Sequence, residues 1–179
     1  MSPIDDILAF NRAFVAEKRY APYAATKYPR KKLAVLSCMD ARLTALLPAA
    51  LGLQNGDFNL VQTAGAMITD PFGGEMRSLL VAVYAFSVED ILVVGHRDCG
   101  MEHMDAAALL GKMRDRGIAP AAVDDTDAAR WLTGFDDVAS SVQHTVGIIR
   151  QHPLMPPDVR IHGFVMDPAT GQLDGVGKS

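Results

Sequence analysis

Both cysteines of the chain stand close to the ends of short apolar runs. Cys38 follows the run 33–37, while His96 and then Cys99 follow the run 91–95. Thiolate sulfur and imidazole nitrogen are ligands that zinc prefers, and three protein ligands leave a fourth position open for water or substrate. The two runs therefore end in the residue types of a catalytic zinc site.

Two charged residues follow Cys38 at alternate positions. In an extended chain this alternation puts Asp40 and Arg42 on the same side as Cys38. A carboxylate beside an arginine is held ionised and only accepts hydrogen bonds. Next to a zinc-bound water, Asp40 would orient that water and favour hydroxide. The alternative interpretation is an ordinary ion pair at the end of a strand.

The order of the predicted elements brings the two runs to one edge of a sheet. Four apolar runs predict strands, at 33–37, 58–63, 91–95 and 159–166. Because helices are predicted between the strands, we expect right-handed crossovers and an α/β fold with a mainly parallel central sheet. The carboxyl ends of parallel strands share one edge, so Cys38 is expected to meet His96 and Cys99 there.

Helices are predicted where apolar residues recur at helical spacing, at 3–15, 43–51, 75–88, 101–116 and 138–152. The segment 75–88 is so apolar that we expect burial on more than one side. Residues 119–127 are predicted to form a polar loop. After the turn 167–171, residues 172–176 are expected to pair with the last strand as a C-terminal hairpin.

The first helix has a clear start but little core to cover. Ser2 is suited to cap it, Pro3 to occupy its first turn, and acidic residues follow. A polar stretch separates this helix from the first strand. We predict that residues 1–30 form an N-terminal helical arm, which packs either on a neighbouring subunit or back on its own sheet.

The bulk composition is typical of one soluble globular domain. A length of 179 residues suits a single domain over 1–179. The 17 basic and 21 acidic residues give a charge of −4, which argues against binding to nucleic acid or to an anionic membrane. Asp5 and Asp6 stand where a signal peptide would be basic, so we expect a cytoplasmic protein with reduced thiols.

Residues 38–42 and 95–100 resemble the two signature motifs, C-x-D-x-R and H-x-x-C, of the β-class carbonic anhydrases. The similarity extends over nearly the whole chain and is greatest to the short prokaryotic branch of the family. It includes Ala64-Gly65, the apolar helix from Arg77 and the closing strand with its following turn. The resemblance implies this family's α/β fold and its carbon dioxide chemistry.

The resemblance also implies the roles of individual residues. One Zn²⁺ per chain would be held by Cys38, His96 and Cys99, with Asp40 and Arg42 as the catalytic pair. Zinc hydroxide would attack carbon dioxide to give bicarbonate and a proton. The assembly implied is a homodimer or a tetramer, with the N-terminal arm reaching over the partner.

Four alternatives compete with this interpretation. A hydrolase of carbonyl sulfide or carbon disulfide on the same scaffold stays open, as does a zinc-binding relative without activity. Phosphatase-like thiol chemistry is excluded because Asp105, and not an arginine, stands six residues after Cys99. The glycine signatures of nucleotide-binding folds are also missing after the strands.

Two features of the sequence leave parts of the chemistry open. Gln62 and Thr63 stand where the family often has a basic residue and asparagine, which removes a positive charge near the site. His103 is the histidine nearest to the second motif. We expect it to be an exposed residue on a helix face and assign it no role in proton transfer.

Overall fold

A five-stranded sheet forms the centre of the structure, a computed structural model that describes residues 2–119 and 126–177. The strands are β1 (Leu33–Cys38), β2 (Phe58–Thr63), β3 (Asp90–His96), β4 (Arg160–Met166) and β5 (Leu173–Val176). Their order is β2-β1-β3-β4-β5, with the first four parallel and β5 antiparallel to β4. The predicted parallel sheet and C-terminal hairpin are confirmed.

Helices connect the strands and flank the sheet. They are α1 (Pro3–Ala16), α2 (Leu43–Ala50), α3 (Gly74–Phe86), α4 (Ala106–Asp115), α5 (Thr126–Leu132) and α6 (Val138–Gln151). The polar loop predicted at 119–127 lies mostly outside the described residues, and its last two residues begin α5. Among the described residues, no helix is both long and apolar enough to cross a membrane.

The two central strands are buried on both faces of the sheet. Side chains that alternate along β1 enter two different cores: Leu36 packs with residues of α3 and α6, whereas Val35 packs with residues of α2. The side chains of Leu36 and Val35 are both fully inaccessible to solvent. This two-sided burial explains why the sequence of β1 is continuously apolar and does not alternate with polar residues.

Helix α3 is buried on one side only, so the prediction of burial on more than one side is wrong for the isolated chain. Met76, Leu79 and Ala82 face the core, but Tyr84 is 67% exposed and Val81 is 38% exposed. A single helical stripe packs against the sheet, while the opposite stripe lies at the surface of the chain. The exposed stripe is an apolar surface available to another molecule.

Helix α4 begins five residues later than predicted. The backbone N–H of His103 donates to the carbonyl of Phe135 at 2.7 Å, and the N–H of Phe135 donates to the carbonyl of Met101 at 3.1 Å. These long-range bonds hold residues 101–104 in a turn. Asp105 then caps the helix, because its carboxylate accepts the N–H groups of Ala107 and Ala108.

The N-terminal helix begins as predicted. Ser2 accepts the N–H of Asp5, and the Asp5 carboxylate accepts the N–H of Ser2, which completes a capping box. No residue of α1 is buried. Its apolar side chains, including Ile4 and Ile7, are therefore exposed in the single chain.

Candidate metal centre

The ends of two adjacent parallel strands bring three metal-binding side chains together. Cys38 is the last residue of β1, His96 is the last residue of β3, and Cys99 lies in the turn that follows. The sulfur atoms of Cys38 and Cys99 are 3.8 Å apart. The ligand atoms of all three residues lie within 4.8 Å of one another, and all three residues are buried. The predicted convergence is confirmed.

The imidazole of His96 is oriented by the protein backbone. Its Nδ1 lies 2.9 Å from the carbonyl of Arg97. Because a carbonyl only accepts, Nδ1 must donate, which leaves Nε2 directed toward the two sulfurs. Nε2 is buried and has no hydrogen-bond partner. An unsatisfied buried nitrogen is costly, and a metal ion between the three side chains would satisfy it.

The two thiols form a second feature that fits a cation. The hydrogen bond with Cys99 lowers the pKa of the Cys38 thiol to about 4, and the same contact raises the pKa of Cys99 above its usual range. Removing both protons therefore puts two negative charges side by side. A divalent metal compensates that charge, and two sulfurs with one imidazole form a donor set typical of zinc.

Asp40 and Arg42 form a forked ion pair beside these ligands. Nε and Nη2 of Arg42 donate to the two carboxylate oxygens of Asp40 at 3.0 and 2.8 Å, and the backbone N–H of Arg42 adds a third bond at 2.9 Å. These bonds lower the pKa of Asp40 to about 2. The carboxylate is therefore ionised at neutral pH, and its Oδ2 lies 3.8 Å from Nε2 of His96.

Arg42 makes a further pair of contacts that the sequence did not predict. Its Nη1 donates to the Asp98 carboxylate at 2.7 Å, and its Nη2 donates to the Asp98 carbonyl at 2.7 Å. Asp98 adopts a left-handed backbone conformation, with φ of 54°. A sequence signal was present, because Asp98 stands directly before Cys99 and aspartate tolerates this conformation better than most residues.

Glycine is required where the loop after β2 passes the site. Gly65 has a φ of 75°, and a Cβ there would lie 3.0 to 3.1 Å from side-chain atoms of Phe135, Met101 and Met67. The backbone of Gly65 is also close enough to the sulfur of Cys38 to help lower the pKa of that thiol. The close approach of this loop therefore contributes to the site.

Gln62 and Thr63, where the chain departs from the usual pattern of the family it resembles, bond to nearby backbone. Nε2 of Gln62 donates to the carbonyl of Cys38 at 3.2 Å. The hydroxyl of Thr63 donates to the carbonyl of Met67 at 3.1 Å. These two side chains support the end of β1 and the following loop without adding charge.

His103 is exposed as predicted, but it does not lie on a helix. It stands in the turn before α4 with a φ of 56°, and its side chain is 72% exposed. Its Nδ1 is 3.7 Å from the carboxylate of Asp136. It is not one of the three side chains that converge on the metal centre.

Comparisons with known proteins agree with this geometry. Residues 33–173 match the family model described as carbonic anhydrase. The Bacillus subtilis (strain 168) protein named "Putative carbonic anhydrase YvdA" is 46% identical over 181 residues, which cover 98% of this chain and 92% of that protein. A carbon disulfide hydrolase from Acidithiobacillus thiooxidans is 30% identical over 174 residues, covering 89% of this chain and 85% of that protein.

A solved structure shows the same fold. The crystal structure of β-carbonic anhydrase isoform I from Trichomonas vaginalis matches with a TM-score of 0.91 and 30% sequence identity, and the match covers 98% of both chains. The family model spans most of the chain, and the Cys-His-Cys cluster lies within its limits. The chain therefore belongs to the β-carbonic anhydrase family.

Proposed function

We propose that the protein is a zinc-dependent carbonic anhydrase, which catalyses the reversible hydration of carbon dioxide to bicarbonate and a proton. The observation that carries this proposal is the buried, unsatisfied Nε2 of His96, which lies among two cysteine sulfurs and an ionised carboxylate. Cys38, His96 and Cys99 would hold one zinc ion per chain. Bound zinc would supply the acidity that makes hydroxide available from water at neutral to alkaline pH.

Asp40 would orient the attacking oxygen. Since its carboxylate is ionised, it only accepts hydrogen bonds, so a hydroxyl beside it must point its hydrogen at Asp40. The lone pair of that hydroxyl is then free to face the substrate carbon. Arg42 holds the carboxylate in place through both of its oxygens. The pair thus supplies orientation, which is a large part of catalysis when the substrate itself offers few contacts.

The surroundings of the site suit a small apolar substrate. Met67, Met101 and Phe135 surround Gly65, whose backbone contacts the sulfur of Cys38. Carbon dioxide is linear and uncharged, so it needs space and an apolar wall more than it needs a charged cradle. Bicarbonate, the charged product, would leave toward solvent past the exposed side of Arg42.

Carbon disulfide hydrolysis is the second candidate, favoured by the relative of that name with 30% identity. Carbon disulfide is also linear and apolar, and the same oriented hydroxyl would attack its carbon. Asp40 and Arg42 would have the same roles in both reactions. The two candidates therefore differ in the size and polarity of the molecule that reaches the site.

The test is to measure zinc content and turnover of both substrates with the purified protein. We expect carbon dioxide hydration by stopped-flow at alkaline pH, because two thiolate ligands make zinc a weaker acid. Asp40→Asn should lower the rate about a hundredfold with zinc retained, and Cys38→Ser should abolish activity. Asp174→Asn is the matched control, since it removes a carboxylate paired with Arg97 outside the site.

The outcomes separate the candidates. Turnover of carbon disulfide without carbon dioxide hydration would establish the second candidate. A zinc-loaded protein that turns over neither substrate would contradict both and would indicate a zinc-binding relative without activity. Full hydration activity in Asp40→Asn would contradict the orienting role.

We also infer that the protein is a homodimer in which the arm, residues 1–30, covers the partner. Two apolar surfaces of the chain support this inference. Helix α1 buries none of its own residues, and α3 borders a surface groove of about 500 Å³ that includes Val81 and Tyr84. We place the dimer in the cytoplasm, where a reducing environment keeps cysteines as free thiols.

A further inference from the structure

We propose that Asp98 is a positioning residue for the reaction, acting on Asp40 through Arg42. This inference rests on the proposed function, since it concerns the orientation of the Asp40 carboxylate. Asp98 does not contact that carboxylate itself. It holds the guanidinium group that does, through a different edge of that group.

The contacts account for how Arg42 is held. Its guanidinium donates to Asp40 through Nε and Nη2, and to Asp98 through Nη1 and Nη2. If Arg42 were bonded only to Asp40, the two side chains could move together relative to the metal centre, because both belong to the same short segment. Asp98 belongs to the turn between the ligands His96 and Cys99. It therefore fixes the pair relative to the metal centre.

The side chain of Asp98 is itself well placed for this purpose. One of its two contacts with Arg42 is made by the carboxylate and the other by the backbone carbonyl, both at 2.7 Å. The left-handed backbone of Asp98, with φ of 54°, is a conformation in which glycine would be less strained. An aspartate at this position thus costs stability, and its carboxylate supplies the contact with Arg42.

A neighbouring ion pair has the same chemistry, but the structure gives its side chains no contact with Asp40 or Arg42. Arg97, also in the turn after β3, donates to Asp174 at 2.7 Å, and both side chains are substantially exposed. This pair ties the turn to β5. It lies outside the Asp40 and Arg42 pair, so Asp174→Asn is a control for loss of an exposed carboxylate from the same region.

The experiment compares zinc-loaded wild-type protein with Asp98→Asn, Asp98→Gly and Asp174→Asn. We expect kcat/KM for carbon dioxide hydration to fall about three- to tenfold in Asp98→Asn and by at least as much in Asp98→Gly. Zinc content and the rate of zinc release to a chelator should stay at wild-type values. The melting temperature of Asp98→Gly should not fall, because glycine relieves the left-handed strain.

A spectroscopic measurement tests the positioning independently of turnover. The Nε–H proton of Arg42, assigned by its loss in Arg42→Lys, should exchange slowly with water in the ¹H–¹⁵N spectrum of the wild-type protein. In Asp98→Asn we expect exchange to be several-fold faster, and in Asp174→Asn unchanged. Unchanged exchange in Asp98→Asn would overturn the inference, whatever the activity.

The activity measurements distinguish failure of this inference from failure of the proposed function. A wild-type protein that does not hydrate carbon dioxide contradicts the proposed function. An active wild-type protein with equally active Asp98→Gly contradicts only the role of Asp98. Faster zinc release from Asp98→Asn would also overturn the inference, since it would show that Asp98 supports the ligands and not Arg42.

Discussion

Oδ2 of Asp40 lies 3.8 Å from Nε2 of His96, a buried nitrogen that has no hydrogen-bond partner. The carboxylate is fixed by Arg42, and the imidazole is fixed by the carbonyl of Arg97. Neither side chain reaches the other, although both are held in place. A metal ion held by the Cys-His-Cys cluster would therefore satisfy Nε2 and lie beside the ionised carboxylate.

Zinc retention should depend on His96 and not on His103. We expect about one zinc per chain in the wild-type protein and in His103→Ala. In His96→Ala, loss of a ligand from the buried cluster should weaken zinc binding by more than about a hundredfold. Elemental analysis after dialysis against a chelator measures the difference. Equal zinc content in the two variants would show that the ion binds elsewhere.

Substitution of Gly65 should disturb the metal centre far more than an equal substitution at another left-handed glycine. In Gly65→Ala, the new Cβ meets three side chains at 3.0 to 3.1 Å, whereas at Gly52, with φ of 63°, it meets no atom within 4 Å. We expect Gly52→Ala to cost about 1 kcal/mol of unfolding free energy and Gly65→Ala about 2 to 4 kcal/mol. Urea unfolding measures both.

Zinc release distinguishes a local effect of Gly65 from a general loss of stability. Because the backbone of Gly65 contacts the sulfur of Cys38, we expect faster transfer of zinc to a chelator in Gly65→Ala. Gly52→Ala should release zinc at the wild-type rate. Equal release rates in the two variants would argue against a contribution of this loop to the site.

Local patterns in the sequence were sufficient to predict the strands and the positions of the three candidate metal ligands. β2 has the predicted bounds, and β1 differs by one residue, because their apolar runs are short and end at polar or turn residues. Parallel topology then requires the carboxyl ends of adjacent strands to meet at one edge. The convergence of Cys38 with His96 and Cys99 follows from these two facts.

The features that sequence analysis missed depend on contacts between distant residues. The segment 101–104 has a helical composition, but hydrogen bonds to Phe135 hold it in a turn. Gly134 allows this pairing, since a Cβ there would lie 1.8 Å from the carbonyl oxygen of Met101. The contact between Arg42 and Asp98 spans 56 positions and depends on the left-handed backbone of Asp98. No periodicity in the local sequence predicts either contact.

The stability contributed by Asp57 should depend on pH. The residue is 7% exposed, and its carboxylate accepts the N–H of Gln54 at 2.8 Å and Nε of Arg30 at 2.9 Å. The bond from Gln54 is the main cause that holds its pKa below the usual value, and Arg30 adds to it despite the opposing effect of burial. A carboxyl with a lower pKa in the folded state stabilises the fold above its unfolded pKa, near 3.9.

That stabilisation is lost as the pH falls through the folded pKa. We therefore expect Asp57→Asn to lower the urea midpoint at pH 7, and we expect the difference from wild type to shrink below about pH 4. Asp158→Asn, which changes an exposed carboxylate, should show little difference at either pH. A difference for Asp57→Asn that is constant from pH 7 to pH 3 would contradict a role for the ionised carboxylate.

The exposed apolar side of α1 should be required for the proposed dimer. Ile4 and Ile7 lie on the same side of the helix and are 62% and 60% exposed in the single chain. A symmetric dimer would bury Ile4 and Ile7 of both subunits. The double variant, Ile4→Asp with Ile7→Asp, should therefore weaken association at least about a hundredfold. Sedimentation velocity measures this shift, with circular dichroism confirming that the variant stays folded. Ala9→Asp, on the opposite side of α1, introduces one aspartate where the double variant introduces two, and should remain dimeric because that side has no apolar stripe to bury. If the double variant sediments as the wild-type dimer, the arm does not hold the two subunits together. The interface must then lie on another surface, and the exposed stripe of α3 is one apolar candidate.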